Sequence, residues 1–416
     1  MFGEPCLVEH NMTILSDIKT FRDNQRLART LRDHLQEDRC NQDQINLSTP
    51  SKMVNFGGAI RLNPPAIFLI CGIVGLIVFF NMGRSTAPHP NISLKQLLAV
   101  SIHAAVKGGI EVVRVREEAD IGESSKGKTK EGANDPKTNG DMFSHRAMYW
   151  GIKKAFPHIN VISEEHDVEE VDLSTVEMPS LDNPEVESIV DDDTLVPPGE
   201  ISVWIDPLDA TQEYTENLRH FVTTMVCVAI NGVPVIGIIH KPFEKLTAWG
   251  WAGPDYRSKS VNDDLKAGKG LEHDISKARI IVSRSHAGSV NATAQSALGQ
   301  DIVVTPAGGA GYKAWEVLKG SQDAYVHTTL IKKWDICAGN AILNSAGGQL
   351  TTLKGESINY SGVEGNEKNT GGVLATLYHH KNYVAKLSLL MVETKRKTAE
   401  KRAAFKTLVR DRLRKP

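Results

Sequence analysis

The sequence predicts a layered α/β sandwich. Two apolar runs flank Asn231-Gly232, a strong short-range hairpin signal, so residues 221–230 and 233–240 read as antiparallel strands. From residue 278 onward, short apolar runs alternate with helical patterns, the mark of a second αβ half. Residues 93–118 set apolar side chains at helical spacing, giving a long amphipathic helix to cover one face. We therefore expect an antiparallel-rich half over about 93–278 and an αβ half over 279–392, with a cleft between them.

The chain has 416 residues, 41% hydrophobic and 24% charged, with a net charge of −2. That balance gives no case for a nucleic-acid binder. It conceals two blocks. Residues 166–200 hold twelve Asp or Glu and no Lys or Arg, while 393–416 hold ten Lys or Arg against three acids. The first reads as a long mobile surface insertion, with Pro179, Pro184, Pro197 and Pro198; the second reads as a solvated basic tail. Five scattered cysteines suggest no disulfide framework, and Cys227 and Cys337 sit in contexts typical of buried thiols.

Residues 1–62 form a polar tail, of which 1–52 read either as genuine or as an upstream-start extension before Met53. An uncharged apolar run of 15 residues from Ala66 to Phe80 follows, and the weakly polar ends at Asn63 and Met82 bring it to 20. That length suits a single transmembrane helix, so a signal anchor is expected at 63–82. Lys52 and Arg61 before it balance Arg84 and Lys95 after it, leaving the orientation open. Glycosylation sequons at Asn91, Asn291 and Asn359 all follow the span.

Along the globular part, Asn91 or Ser93 can cap the first helix. A Gly/Lys-rich loop covers 122–140, Asp141 opens a helix over 142–156, and a strand at 159–163 runs into Glu164-Glu165. An apolar strand at 201–205 ends in Asp206-Pro207-Leu208-Asp209-Ala210-Thr211. Pro207 should stop the strand and turn the chain, letting both carboxylates converge while the Leu208 carbonyl faces inward. A strand is expected at 246–251, then a loop to Lys277. Strands at 278–283, 302–305 and 324–327 should alternate with helices at 289–298, 310–318 and 334–345.

Hard divalent cations prefer carboxylate and carbonyl oxygens, which the Asp206/Asp209 turn supplies. Asp141, Glu164-Glu165 and Asp335 stand at similar structural transitions. Each alone has a plainer reading, Asp141 as a helix cap and Asp335 as a first-turn acid facing the helix dipole. The Gly308-Gly309-Ala310-Gly311 turn can bring backbone N–H groups to a phosphate, and equally can be a structural turn.

The acidic pair, the DPLDAT turn and Trp334-Asp335, taken in this order, resemble the magnesium-dependent, lithium-sensitive superfamily of inositol monophosphatases and bisphosphate nucleotidases. The likeness covers about residues 93–392. Ala210 replaces the commoner Gly, which should keep the turn if φ stays negative. The resemblance implies that Glu164, Asp206 and the Leu208 carbonyl hold one Mg²⁺, and Asp206, Asp209 and Asp335 another, with two or three ions in all. Thr211 would hold the attacking water and pass its proton towards Asp141. Lys126-Gly-Lys-Thr, Ser283-Arg284-Ser285-His286 and Lys332-Lys-Trp-Asp resemble the bisphosphate-nucleotidase members in particular. They imply Ser283, His286, Gly309, Lys313 and Asp335 as substrate contacts, and adenosine 3′,5′-bisphosphate as substrate. They also imply a type II Golgi membrane protein with a lumenal phosphatase domain at 83–392. The family commonly forms homodimers. An inositol phosphate phosphatase and a catalytically silent scaffold are the alternatives. Asp209→Asn would abolish activity without unfolding the chain, through loss of one anionic ligand at near-identical volume.

Overall fold

The computed structural model describes Gly72 and residues 89–118, 120–128, 134–167, 171–268, 274–284 and 290–388. The expected anchor, apart from Gly72, lies outside these residues, as do the N-terminal tail and the basic C-terminal tail.

The first sheet contains β1 (Asn160–Ser163), β2 (Ile201–Asp209), β3 (Thr223–Ile230), β4 (Val233–Lys241), β5 (Leu246–Trp251) and β6 (Tyr256–Arg257), in that spatial order. Only the β1–β2 pairing is parallel; the rest is a meander. The β3–β4 turn is as expected: Asn231 at φ 50° and Gly232 at φ 80° meet the positive-φ demand of a tight hairpin. The second sheet holds β7 (Arg279–Ser283), β8 (Val303–Ala307), β9 (Ala324–His327), β10 (Gln349–Thr351) and β11 (Val373–Thr376), ordered β8-β7-β9-β11-β10.

Helices α1 (Leu94–Arg116) and α2 (Asn139–Ala155) cover one face of the first sheet. Ser93 caps α1, its hydroxyl accepting from Gln96 N at 3.0 Å. By length and composition α1 is apolar enough to cross a membrane, but thirteen of its residues are buried in this domain, so it is a core helix. Helices α3 (Pro184–Ile189), α4 (Thr211–Thr215), α5 (Lys259–Ala267), α6 (Val290–Leu298), α7 (Ala310–Leu318) and α8 (Lys333–Ser345) follow. α7 and α8 lie between the sheets, and α6 covers the far face of the second. The result is the expected sandwich. Sheet faces and helix stripes alternate in apolar layers, so every strand of the first sheet's centre is buried on both sides.

Several expectations change. The strand that should stop at Pro207 continues to Asp209, with its register to β3 shifting between Asp206 and Asp209. Proline cannot donate to a ladder, and here it falls in the irregular stretch where no donation is asked of it. The acidic segment is not simply a surface loop. Val186, Val190 and Val196 enter the first core, and Glu185 accepts from Trp249 Nε1 at 2.9 Å and Lys259 N at 2.8 Å. The stretch before Lys277 holds β6 and α5 rather than loop alone. Cys227 on β3 and Cys337 on α8 are joined in a disulfide, with Cα atoms 5.6 Å apart, instead of remaining free thiols. Their separation of 110 residues hid the pairing in the sequence.

Candidate active site

The cleft between the halves is a cavity of about 750 Å³, lined by Glu164, Asp206, Leu208, Asp209, Thr211, Ser283, Gly309, Lys313 and Asp335 among others. It brings together nearly all the sequence-predicted site residues that are described. His286 lies outside the described residues. Asp141 is buried just beneath, one hydrogen bond away.

Glu164 follows β1, Asp206 sits in β2 and Asp335 in the first turn of α8. Their carboxylate oxygens come within 4.8 Å of one another. Asp335 also accepts from Lys332 N at 3.0 Å, closing the helix start. Burial raises the pKa of Asp206 well above the ordinary carboxylate value, and Glu164, Asp209 and Asp335 push it further. Asp335 is raised for the same reasons, burial first and then Glu164 and Asp209. Three carboxylates packed this closely cannot all ionise without a compensating cation. Lys126 supplies part of it: its ammonium is 2.8 Å from Glu164 and also contacts Glu165. Lys137 holds Glu165 at 2.7 Å. Burial favours the neutral form of Glu165, but these two lysines outweigh it and lower its pKa. Lys126 thus touches both members of the acidic pair, Lys137 holds only Glu165, and only Glu164 joins the cluster. The set of hard oxygen donors fits a divalent cation such as Mg²⁺.

Asp209 takes a different course. Its oxygens accept from Ala310 N at 3.0 Å, Gly311 N at 2.8 Å and Thr223 Oγ1 at 3.1 Å. The N–H groups expected to face a phosphate therefore face Asp209, anchoring the start of α7 to the DPLDAT turn. The glycines are needed for this approach: a Cβ on Gly309, at φ 62°, would lie 2.8 Å from Asp209 Oδ2 and from the Phe221 carbonyl. Lys313, one turn into α7, is buried against the Gly309 carbonyl and the Tyr325 ring. Burial lowers its pKa to about 8 despite Asp209, Glu213 and Asp335 nearby.

Thr211 Oγ1 lies 3.1 Å from both Asp141 Oδ1 and the Leu208 carbonyl. Asp141 is not the cap of α2 but its third residue. Thr138 caps the helix, and Asp141 Oδ2 accepts from Thr138 N at 2.7 Å and Thr138 Oγ1 at 2.6 Å. The Thr138-x-x-Asp141 spacing was the signal for this arrangement. Burial pushes the Asp141 carboxyl up to about 7, with the Thr138 bonds opposing it. Ala210 adopts φ 72°, a left-handed conformation, so the turn is kept with positive rather than negative φ. The bulge reverses the backbone there, and an L-residue holds it under strain.

Lys126, Thr138 and Thr223 are partners of site acids to which the sequence alone assigns no role. Thr138 carries a local signal in its spacing to Asp141, whereas Lys126 and Thr223 meet their acids across 38 and 14 residues.

Residues 93–389 match the inositol monophosphatase family. An inositol monophosphatase 3 of Danio rerio is 47% identical over 346 residues, covering 79% of this chain and 97% of its own. The Golgi-resident adenosine 3′,5′-bisphosphate 3′-phosphatase of Homo sapiens is 42% identical over 364 residues, covering 79% of this chain and 96% of its own. Among solved structures, inositol-monophosphate-bound IMPase-II, named SaIMPase-II, aligns with a TM-score of 0.50 at 16% identity, covering 74% of this chain and 98% of its own. That match speaks for the fold alone. With the acid cluster, the DPLDAT turn and the five-layer sandwich all in place, the chain belongs to the inositol monophosphatase family.

Proposed function

We propose that the protein is a Mg²⁺-dependent phosphomonoesterase that hydrolyses the 3′-phosphate of adenosine 3′,5′-bisphosphate, giving AMP and phosphate. The observation that carries the phosphatase reading is the convergence of Glu164, Asp206 and Asp335 within 4.8 Å, beside the Thr211–Asp141 contact. Glu164, Asp206, Asp335 and the Leu208 carbonyl would hold two or three Mg²⁺ ions, with Asp209 at their edge. Bound there, the metal supplies charge neutralisation for the phosphoryl group and a lowered pKa for water. The chain's own part is proton handling. Thr211 orients a water through Oγ1 and relays its proton to Asp141, whose affinity near neutrality suits a general base. Ser283, Lys313 and His286 would contact the substrate. The catalytically silent reading is disfavoured because Thr211 and Asp141 keep a working geometry.

The nucleotide substrate is supported by the relatives named Golgi-resident adenosine 3′,5′-bisphosphate 3′-phosphatase. The relative named inositol monophosphatase 3, at 47% identity, supports inositol phosphate as the second reading. The same Golgi-resident names, with the apolar run at 63–82, support a type II Golgi membrane protein whose domain at 83–392 is lumenal. In that setting the exposed Asn91, Asn291 and Asn359 would be open to glycosylation. Homodimer formation and lithium sensitivity complete the proposal by family likeness.

The test is to purify the full chain in detergent and offer it adenosine 3′,5′-bisphosphate and inositol 1-phosphate, with Mg²⁺, with and without lithium. Lithium-inhibited release of phosphate from the nucleotide is expected. Turnover of inositol phosphate alone would sink the nucleotide assignment, and turnover of neither would favour the scaffold.

A further inference from the structure

Two lysines on the cavity wall have no role in the chemistry above. Lys332 ends the short strand Ile331–Lys332, and Lys368 begins Lys368–Asn369; the strands are antiparallel, with Lys332 directly opposite Lys368. Such partners set their Cβ atoms roughly 4.5–5.5 Å apart, and like charges in that position are destabilising. Both residues line the cavity that contains Glu164, Asp206 and Asp335. Among the described residues neither ammonium is ion-paired to a carboxylate. Lys332 Nζ rests 4.6 Å from the centroid of the Trp334 ring. Glu367, next to Lys368 on the same wall, has its Oε1 accepting from Gly365 N at 2.8 Å. Backbone N–H groups lower its pKa, and the charges of Lys332 and Lys368 help to lower it without a direct ion pair.

We infer that Lys332 and Lys368 form a second anion subsite, which holds the phosphate that is not cleaved and makes the enzyme prefer bisphosphate esters to monophosphates. An anion between them turns a repulsive pair into two charge-assisted contacts. Its place follows from the chain: Lys332 is three residues before Asp335 and its N–H caps that carboxylate, so the subsite adjoins the acid cluster. A cavity of about 750 Å³ leaves room for a ligand with two phosphates. The inference rests on the phosphatase reading but not on the identity of the organic group.

Lys332→Ala, Lys368→Ala and the double variant of the full chain are compared with the wild type on two substrate pairs. One pair is adenosine 3′,5′-bisphosphate and adenosine 3′-monophosphate; the other is inositol 1,4-bisphosphate and inositol 1-phosphate. For the double variant, KM for the bisphosphate should rise on the order of 10–100-fold, the worth of one or two charged contacts, while the KM for the matching monophosphate shifts far less. Lys368→Arg should restore most of the effect. Lys368 is exposed, so Lys368→Glu gives a folded check and should raise the bisphosphate KM further. Equal shifts for both members of a pair, or no shift, would overturn the subsite. If only the inositol pair is turned over, the nucleotide reading fails, yet the same ratio still decides the lysines.

Discussion

Asp206 and Asp209 are three residues apart in one turn and meet opposite fates. Asp206 faces Glu164 and Asp335 with like charges around it, and its one described protein donor is Leu208 N at 3.2 Å. Asp209 is surrounded by donors: two N–H groups of α7, a threonine hydroxyl and the charge of Lys313. The bulge at Pro207 separates them. One carboxylate is left with capacity for a ligand, and the other fastens the second half of the fold to the first. A motif that reads as a symmetrical pair of carboxylates therefore sits in two environments, one ringed by like charges and the other by donors that tie the two halves together.

The largest test of this contrast substitutes each acid. Asp206→Asn should lower kcat by about 10²–10³-fold or more. Without added cation it should leave the melting temperature unchanged or higher, because a buried like charge is gone. Asp209→Asn should also lose activity, but in addition lose about 1–3 kcal/mol of stability in urea titration, because an amide nitrogen cannot accept from the α7 N–H groups. This amends the expectation that Asp209→Asn spares the fold. Equal stability of the two variants would erase the distinction.

A smaller test asks which half yields first to acid. His240, in the first sheet, bonds Thr247 Oγ1 at 2.9 Å, and His380, beside the second, bonds Thr351 and Thr376 hydroxyls at 2.9 Å each. Burial lowers both to about 4. Between pH 6.5 and 4 these histidines take up protons in the unfolded chain that they refuse in the folded one, so their contribution to stability is full above this window and falls as pH drops through it. Each histidine should contribute up to about 3 kcal/mol to that loss. Urea titrations of His240→Gln and His380→Gln across this window should show a shallower decline for each; an unchanged slope would contradict the assignment.

The smallest effect concerns the hinge between the two acids and Thr211. Ala210 at φ 72° would be relaxed by glycine, so Ala210→Gly should raise stability by about 1 kcal/mol, read as a higher urea midpoint at unchanged slope. A loss would show that the alanine methyl is needed for packing.

The sequence made legible what local patterns encode. The Asn231-Gly232 hairpin, the periodicity of α1 and the alternation after residue 278 placed the layers, and the residues flanking strand ends placed Glu164, Asp206 and Asp335. Thr211 and Asp141 meet as the family likeness implied. What stayed hidden depends on contacts across long stretches of chain. Asp209 meets Gly311 across 102 residues, Lys126 meets Glu164 across 38, and Cys227 meets Cys337 across 110. The packing of the acidic segment was hidden for another reason. Val186, Ile189 and Val190 do stand at helical spacing, but their helix is only six residues long and the charge count of the segment dominates the reading.

The central claim is that Glu164, Asp206 and Asp335 hold a divalent cation. The most direct measurement is calorimetric titration of the full wild-type chain and Asp206→Asn with Mg²⁺ after chelator treatment. A saturable binding heat and a cation-dependent rise in melting temperature are predicted for the wild type, and both should be lost in the variant. Binding of equal strength in the two proteins, or none in the wild type, would contradict the account.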